Sequence, residues 1–413
     1  MQTLQLNPRT ASRMLNVARL ADHPQHTEAD GRTPLNVPVY ELELWTSRQR
    51  QANSIHEISY RACFKPQLPA YFVERLTRDA DVIYDPFGGR GTTAVEAALH
   101  GRRVISNDVN PLSAILSRPR LELPGIGDID ARLRSLKFVA RPKSGLDLSM
   151  FFHPDTEYEI LGLRDYLHKR VHSGKEDAVD RWIRMVATNR LTGHSPGFFS
   201  VYTLPPNQAV SADDQMRINA RLKQEPEYRD IRALILKKSM QLQGRLTAAD
   251  RWRLRGAAGS ARFLECDAAS TPQIPDDSVH LTVTSPPFLD VVQYARDNWL
   301  RCWFNGLDAD AISAHITMSR TVEEWSAEMA RVFRELYRVA RPGGWVAFEV
   351  GEVRRGAVKL DEAVAPLGIA AGFECTAILI NAQSFTKTAN IWGVANNRLG
   401  TNSNRIVLFR KPA

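Results

Sequence analysis

The strongest constraint on the fold is a glycine-rich segment at residues 85–93, placed between a short apolar run and a helical pattern. Its residues are Asp85, Pro86, Phe87, Gly88, Gly89, Arg90, Gly91, Thr92 and Thr93. Residues 81–85 predict a buried strand, and Thr92 or Thr93 is expected to cap a helix over residues 94–100. A second predicted strand, 103–106, runs to Asp108. This order of elements predicts the first half of a nucleotide-binding α/β unit.

The chemistry of the glycine-rich turn narrows the class of ligand. Glycines let the backbone approach a ligand closely, and the amides of a helix N-terminus favour polar or anionic groups. No Lys-Ser/Thr pair follows the glycines, which excludes a P-loop. The spacing of Gly89, Gly91 and Ala94 fits a loose dinucleotide fingerprint and leaves an NAD enzyme open. Asp85 would repel a pyrophosphate, however, and suits a cationic amino group such as that of S-adenosylmethionine.

A second informative segment consists of Thr284, Ser285, Pro286, Pro287 and Phe288. It follows an apolar run at residues 279–283 that predicts a buried parallel strand, which the two prolines end. The turn would present the Ser285 hydroxyl, nearby backbone carbonyls and the Phe288 ring at the carboxyl edge of the sheet. Such groups can grip an amino group on a flat base. A plain strand-ending turn is the alternative interpretation.

Between these two segments, residues 118–260 interrupt the α/β pattern and carry the positive charge of the chain. They contain 25 Lys/Arg and 17 Asp/Glu, an excess of eight positive charges, which equals the net charge of +8 of all 413 residues. Helical patches at 157–171, 177–190 and 213–243, with a glycine- and aromatic-containing loop at 193–202, predict an inserted, mostly helical domain. Basic surface favours a polyanion such as nucleic acid, although a solvated helical face would explain the same charge.

The remaining sequence completes the α/β pattern. Strands are predicted at 262–267, 345–350, 375–380 and 404–409, and helices at 322–341 and 358–371. Cys63, Cys266, Cys302 and Cys375 are dispersed and form no CxxC pair, so neither a zinc site nor a disulfide framework is expected. The chain has no long apolar run and begins with polar residues, and a cytoplasmic location is therefore expected.

The glycine-rich segment and the Ser-Pro-Pro-Phe segment together resemble those of the amino-group DNA methyltransferases, which methylate N4 of cytosine or N6 of adenine. This resemblance implies a Rossmann-like α/β fold with a mostly parallel sheet of about seven strands. It also implies an inserted, mainly helical DNA-recognition domain. The implied divisions are an N-terminal arm at 1–55, a cofactor-binding half at 56–117, a target-recognition domain at 118–260 and a catalytic half at 261–413.

The same resemblance assigns roles to individual residues. Asp85 and the glycines would hold the methionine part of S-adenosylmethionine, Asp108 its ribose and Asp267 its adenine edge, although Asp267 could instead cap a turn. The implied catalytic residues are Ser285, Pro286, Pro287 and Phe288. The implied cofactor-binding residues are Phe64, Asp85, Pro86, Phe87, Gly88, Gly89, Gly91, Thr92, Thr93, Asp108, Asp267 and Thr284.

Ser285 indicates the target base. In this family, Ser before Pro-Pro goes mostly with cytosine N4, and Asp or Asn goes mostly with adenine N6. A cytosine C5 enzyme would need a cysteine nucleophile beside the proline, which this turn lacks. We therefore expect direct methyl transfer from S-adenosylmethionine to N4 of a cytosine flipped out of double-stranded DNA. An adenine N6 enzyme, a tRNA or rRNA base methyltransferase and a non-catalytic nucleic-acid-binding protein are the alternatives.

The resemblance allows one further partner, a cognate restriction endonuclease in the same cell. The sequence leaves the oligomeric state and the DNA recognition sequence open.

Overall fold

A computed structural model describes most of the chain. The described residues are 19–20, 26–29, 32–42, 44, 52–60, 63–138, 145–203, 209–287, 294–316, 319, 321–353, 358–382 and 403–413. Phe288 of the predicted catalytic turn lies outside these ranges.

The described strands fall into one large sheet and two small hairpins. They are β1 (Arg19–Leu20), β2 (His26–Ala29), β3 (Arg32–Asn36), β4 (Val39–Leu42), β5 (Val82–Asp85), β6 (Arg103–Asn107), β7 (Arg262–Leu264), β8 (Val279–Thr284), β9 (Ala340–Val350), β10 (Glu352–Val353), β11 (Val358–Lys359), β12 (Glu374–Ala382) and β13 (Ser403–Arg410). Strands β2 and β3 form one hairpin, and β10 and β11 form the other.

The described residues form thirteen α-helices. They are α1 (Gln67–Leu76), α2 (Thr92–Leu99), α3 (Leu112–Glu122), α4 (Ile126–Ser135), α5 (Pro154–His172), α6 (Ala178–Arg190), α7 (Ala212–Leu222), α8 (Ile231–Gln243), α9 (Ala248–Ala258), α10 (Tyr294–Asn305), α11 (Ala309–His315), α12 (Val322–Val339) and α13 (Leu360–Ala370). The predicted single helical patch at 213–243 is in fact two helices, since Lys223 has a left-handed backbone and Pro226 follows it.

The large sheet contains nine described strands in the order β1-β4-β12-β13-β9-β8-β5-β6-β7. The five strands from β9 to β7 are parallel, and β13 is antiparallel to both of its neighbours. The sequence order reverses between β5 and β8, so the carboxyl ends of these two parallel strands flank a topological switch point. In open α/β sheets, ligands bind in the crevice at this position. The predicted α/β class with a mostly parallel sheet is confirmed.

Alternate residues of each central strand pack on opposite faces of the sheet, as the period of two requires. Ile83 and Leu281 belong to the apolar core on one face, and Tyr84 and Phe348 belong to the core on the other. Helices α12 and α13 cover the second face, where the ring centres of Phe333 and Phe348 lie 4.8 Å apart.

The inserted residues share the first of these two cores. Trp182, Ile235 and Leu254 are buried in the same apolar cluster as Ile83 of the sheet. The inserted helices therefore pack against α2 and α3 and fix their position over the sheet. The proposed division of the chain into four domains stays a prediction.

Part of the segment predicted as an N-terminal arm adds to the sheet. Strand β4 pairs in parallel with β12, with Val39 opposite Ile378 and Tyr40 opposite Leu379. Val39 and Tyr40 are buried there. This pairing covers what would otherwise be an exposed edge of the sheet.

Candidate active site

The two segments singled out in the sequence meet at the carboxyl edge of the sheet. Asp85 ends β5 and Thr284 ends β8, two neighbouring parallel strands. The Thr284 hydroxyl donates a 2.7 Å hydrogen bond to Asp85 Oδ1, across 199 residues of sequence. The same oxygen accepts from the amide of Phe87 at 3.1 Å. The glycine-rich turn and the Ser-Pro-Pro turn are thus parts of one site.

Asp85 is a buried carboxylate with an unusual affinity for protons. Its side chain is almost completely inaccessible, and burial raises its pKa to about 6. The hydrogen bonds from Thr284 and Phe87 oppose that rise, and the nearby Asp108 adds to it. A buried carboxylate is stabilised by a cation placed next to it. Asp85 therefore fits the cationic amino group that the sequence predicts for the ligand.

The glycine-rich loop approaches its neighbours too closely for a side chain at two positions. A Cβ atom at Gly88 would lie 2.3 Å from Ser106 Oγ. At Gly91 it would lie 2.1 Å from Ser117 Oγ, and the φ of +74° there is itself unfavourable for other residues. The loop is held by hydrogen bonds from the Gly88 amide to the Asn107 carbonyl at 2.8 Å and from the Gly91 amide to the Gly88 carbonyl at 2.7 Å.

Helix α2 starts earlier than the sequence predicts. It begins at Thr92 with Gly91 as its N-cap, and no side chain caps it, so the prediction that Thr92 or Thr93 caps the helix is wrong. The two hydroxyls have other partners, because Thr92 accepts from Arg90 Nε at 3.1 Å and Thr93 donates to the Val283 carbonyl at 3.1 Å. The first amides of α2 therefore lack a side-chain cap, which suits a polar ligand at this end.

Asp108 lies directly beside the glycine loop. Its Oδ2 accepts from the Gly89 amide at 2.8 Å, and its Oδ1 accepts from the Asn110 amide at 2.9 Å. Burial raises its pKa to about 6, against the effect of these two bonds. The two amide bonds fix the orientation of the carboxylate and leave further lone pairs for a ribose hydroxyl.

Asn107 is a site residue that the sequence analysis missed. Its Nδ2 donates to the carbonyls of Pro86 at 3.2 Å and Cys266 at 2.9 Å, and its Oδ1 accepts from the Cys266 amide at 2.9 Å. This buried side chain therefore connects the loops that follow β5, β6 and β7. An amide residue at the carboxyl end of a strand, directly before the acidic residue, was the available signal.

Asp267 has the weakest geometric support among the predicted cofactor ligands. Strand β7 ends at Leu264, so Asp267 lies in the following loop rather than at the strand end. It accepts from the Ala269 amide at 2.9 Å, which is the turn-capping alternative, and pairs with Arg331 at 3.1 Å. Its side chain is 54% exposed and is therefore accessible to the adenine edge of a ligand.

Phe64 and the glycine loop are connected through Arg90. The Arg90 guanidinium donates to the carbonyls of Ile58 at 3.1 Å and Phe64 at 3.5 Å. The fully buried Arg120 donates in turn to the Arg90 carbonyl. These bonds bring the segment before α1 against the loop, where the Phe64 ring packs on the core. Arg90 and Arg120 are positioning residues that no sequence motif indicated.

The Ser-Pro-Pro turn carries an unexpected acidic neighbour. Ser285 hydrogen-bonds the carboxylate of Glu349, which lies near the end of the adjacent strand β9. Glu349 is buried and also accepts from Asn404 Nδ2 at 2.7 Å. Burial raises its pKa to about 7, so it changes charge near neutral pH. The sequence shows this residue only as a polar interruption of an apolar strand.

The two phenylalanines of the loop at 193–202 face the core rather than solvent. Phe198 and Phe199 are buried, and the Arg190 guanidinium lies 3.9 Å from the Phe198 ring centre, so these rings are not presented to a ligand. His194 and Pro196 are the exposed residues of the loop.

Among the described residues, no group of three or more His, Cys, Asp or Glu side chains is arranged to hold a metal ion. The described helices include none that is both long enough and apolar enough to span a membrane.

Part of the chain is similar to known DNA methylases. Residues 9–114 match the N6/N4 methyltransferase family model, described as DNA methylase. The Type II methyltransferase M.MvaI of Kocuria varians is 27% identical over 128 residues, which are 30% of this chain and 25% of that protein. M.MjaII of Methanocaldococcus jannaschii is 35% identical over 84 residues, 20% of this chain and 16% of that protein. The matches thus span a quarter or less of these relatives.

Among solved structures, TrmN from Thermus thermophilus superimposes with a TM-score of 0.33 at 13% identity, over 87% of this chain and 51% of that chain. A likeness at this level carries no functional information. The family match, in contrast, contains the complete glycine loop and Asp108. The matched segments are similar to amino-methyltransferases that use S-adenosylmethionine, a class that includes both N4 and N6 enzymes.

Proposed function

We propose that this protein is a DNA methyltransferase that transfers the methyl group of S-adenosylmethionine to the N4 amine of a flipped-out cytosine in double-stranded DNA. The observation that carries the proposal is the 2.7 Å bond between Thr284 and Asp85. It holds the cofactor loop and the Ser-Pro-Pro turn at one point of the sheet edge. Two reactants held side by side in this way react as if at a very high effective concentration.

The residues of the glycine loop fit S-adenosylmethionine. Asp85 would bind the α-ammonium group, while the close-packed glycines and the uncapped end of α2 would receive the methionine carboxylate and backbone. Asp108, oriented by two amides, would accept from the ribose hydroxyls, and the exposed carboxylate of Asp267 would lie at the adenine edge. Bound S-adenosylmethionine supplies an electrophilic methyl group.

Ser285 and Glu349 supply the chemistry on the side of the base. If the Ser285 hydroxyl donates to the Glu349 carboxylate, its oxygen lone pairs are free to accept from the cytosine amine. The Pro286 carbonyl is a second acceptor on the same turn. The amine loses one proton when it is methylated, and a carboxylate with a pKa of about 7 is able to receive it through the serine hydroxyl. Phe288 is proposed to stack on the base.

A covalent route through cysteine is poorly supported. Cys302, the first cysteine after the turn, is buried, and burial raises the pKa of its thiol to about 11. A thiol with such a pKa is almost entirely protonated at neutral pH and is a weak nucleophile. We therefore propose direct in-line transfer to the amine.

The inserted helices are proposed to bind the DNA backbone. Their basic residues divide into two groups. Arg253 and Arg255 donate to the carbonyls of Leu99 and Leu123 at helix ends and thus serve the fold. Arg221 and Lys223 are exposed at the end of α7 and remain available for phosphates.

The test is methylation of duplex DNA by the purified protein, followed by enzymatic digestion and mass spectrometry of the nucleosides. The proposal predicts N4-methylcytosine that depends on added S-adenosylmethionine and is absent with the Asp85→Ala variant. N6-methyladenine as the product would assign the adenine alternative, and methylation of tRNA or rRNA but not of DNA would overturn the DNA substrate. Since this family contains both amine types, the assay must separate the two nucleosides.

A further inference from the structure

The backbone of the Ser-Pro-Pro turn lacks two of its hydrogen-bond donors. Pro286 and Pro287 have no amide hydrogen, so two consecutive residues of the turn cannot donate a backbone hydrogen bond. The backbone of these two residues can form hydrogen bonds only through its carbonyl oxygens. Under the proposed function, the Pro286 carbonyl is directed to the substrate, and the Pro287 carbonyl is left to hold the turn in place.

Trp325 provides the missing donor. Its indole Nε1 donates a 3.0 Å hydrogen bond to the Pro287 carbonyl across 38 residues of sequence. The Trp325 side chain is 2% exposed and lies in the apolar core under α12, whereas Pro287 is half-buried. A buried indole N–H that loses its acceptor is costly to leave without a partner.

The position of Trp325 is itself fixed by the start of its helix. Thr321 is the N-cap of α12, and its side chain accepts from the Glu324 amide at 3.1 Å. The Trp325 amide then donates to the Thr321 carbonyl at 3.2 Å. The indole therefore projects from the first turn of a capped helix, which gives it a defined direction.

The far end of the same helix is anchored to the loop between β7 and β8. Arg338 donates to the carbonyls of Ile274 at 2.9 Å and Thr271 at 3.0 Å, and Glu335 accepts from the Thr271 amide at 2.7 Å. Helix α12 is thus held at both ends, so Trp325 is a fixed donor rather than a mobile one.

We infer that Trp325 is a positioning residue of the catalytic turn, which sets the distance between Ser285 and the cofactor by holding the Pro287 carbonyl. This inference rests on the proposed function of the turn. Trp325 is buried beneath the turn and acts on it only through the Pro287 carbonyl, so its removal should change the methyl-transfer step and leave both binding steps intact. A displacement of about 1 Å in a reacting group lowers rates by up to about 100-fold.

The experiment replaces the donor while keeping the shape. Trp325 is exchanged for benzothienylalanine, in which sulfur stands in place of the indole N–H, and Trp325→Phe serves as a genetically simpler second variant. We expect the single-turnover rate constant for methyl transfer to fall about 10-fold, as the loss of one hydrogen bond would give. The dissociation constants for S-adenosylmethionine and duplex DNA should stay within twofold.

Trp182→Phe is the matched control. Trp182 is also buried and donates its indole N–H to Ser239 Oγ at 2.9 Å, but it lies within the inserted helices. It should lower thermal stability by a similar amount without changing the transfer rate constant. Unchanged transfer in both Trp325 variants, in an active wild-type enzyme, would overturn this inference and leave the proposed function standing. A wild-type protein without methyltransferase activity would instead refute the proposed function.

Discussion

Individual carboxylates in this site combine burial with protonation near neutral pH. Asp85 and Asp108 have pKa values raised to about 6 and Glu349 to about 7, in each case mainly by burial. A group with a raised folded pKa stabilises the protein most when protonated, and its ionisation costs stability as the pH rises through that value. A ligand that needs the ionised form recovers part of this cost.

Binding of S-adenosylmethionine should therefore depend on pH through Asp85. Below pH 6 the carboxyl is protonated in the free protein, and binding of the ammonium group must expel that proton. We expect the dissociation constant to rise up to about tenfold per pH unit below 6 and to level off above it. Asp85→Asn should weaken binding at pH 7 and flatten this dependence between pH 5 and 7. Calorimetric titration measures both.

Asp85 and Asp108 both have a pKa of about 6, so either could cause this pH dependence of binding. A truncated ligand distinguishes the two carboxylates. 5′-Methylthioadenosine keeps the ribose and adenine but lacks the amino group. Its affinity should vary little over the same pH range if Asp85 is the origin. An equally steep pH dependence for this ligand would assign the effect to Asp108 instead.

The rate of methyl transfer should depend on the protonation state of Glu349. If the ionised carboxylate receives the amine proton through Ser285, the single-turnover rate constant rises with pH and levels off above about 7. In Glu349→Gln, a donating NH2 group replaces one accepting oxygen of the carboxylate, and the amide cannot receive a proton. We expect a fall of about 10- to 100-fold at pH 8 and loss of the inflection near 7. Glu362→Gln, at an exposed position of α13, is the control. The same inflection in Glu349→Gln would show that another group titrates.

At the scale of the elements, the site consists of loops that follow parallel strands and are tied to one another. Asn107 makes three hydrogen bonds to the loops after β5 and β7, and Arg90 ties the segment before α1 to the glycine loop. These loops contribute the cofactor site only when they are held together. Their connections are therefore a direct means of testing cofactor binding apart from chemistry.

Asn107→Ala should affect cofactor binding more than its cost in stability alone would suggest. The loss of its hydrogen bonds costs about 1 kcal/mol each and frees the loops after β5 and β7 from the end of β6. We expect a lower melting temperature together with at least tenfold weaker S-adenosylmethionine binding. Asn305→Ala is the matched control, because this buried side chain bonds Thr188 and the Arg301 carbonyl. Equal loss of cofactor affinity in both variants would reduce the role of Asn107 to general stability.

The sequence could predict the elements of this site but not the side chains that connect them. Period-two and helical patterns placed β5, β8 and α12, and the glycine and proline turns marked the sheet edge. Glu349 and Trp325 were not recognised, because the first interrupts an apolar strand and the second belongs to an apolar helical stripe. Their roles depend on which strand neighbours which, and that order is set by contacts distant in sequence. Phe288 stays a prediction.

At the scale of the whole molecule, the inserted helices serve two purposes that composition alone does not separate. They share a core with one face of the sheet, and several of their arginines cap helix ends. The positive excess of this segment is thus partly a feature of the fold. Only the remaining cations are available to neutralise DNA phosphates.

Among the inserted helices, α7 is the best candidate to carry the cations that contact DNA phosphates. Arg296, in the first turn of α10, pairs with Asp214 of α7 at 3.7 Å. This pair brings α7 towards the catalytic edge of the sheet. The exposed Arg221 and Lys223 lie at the opposite, C-terminal end of the same helix.

Salt dependence of DNA binding distinguishes the two groups of cations. Each phosphate contact made by Lys or Arg lowers the slope of log affinity against log salt by about 0.9 for duplex DNA. The double variant Arg221→Gln and Lys223→Gln should reduce the slope by about 1.8 if both contact phosphates. Arg253→Gln should lower stability but leave the slope unchanged, because its guanidinium donates to the Leu99 carbonyl. A slope that the double variant does not change would place the DNA on another face of the inserted helices.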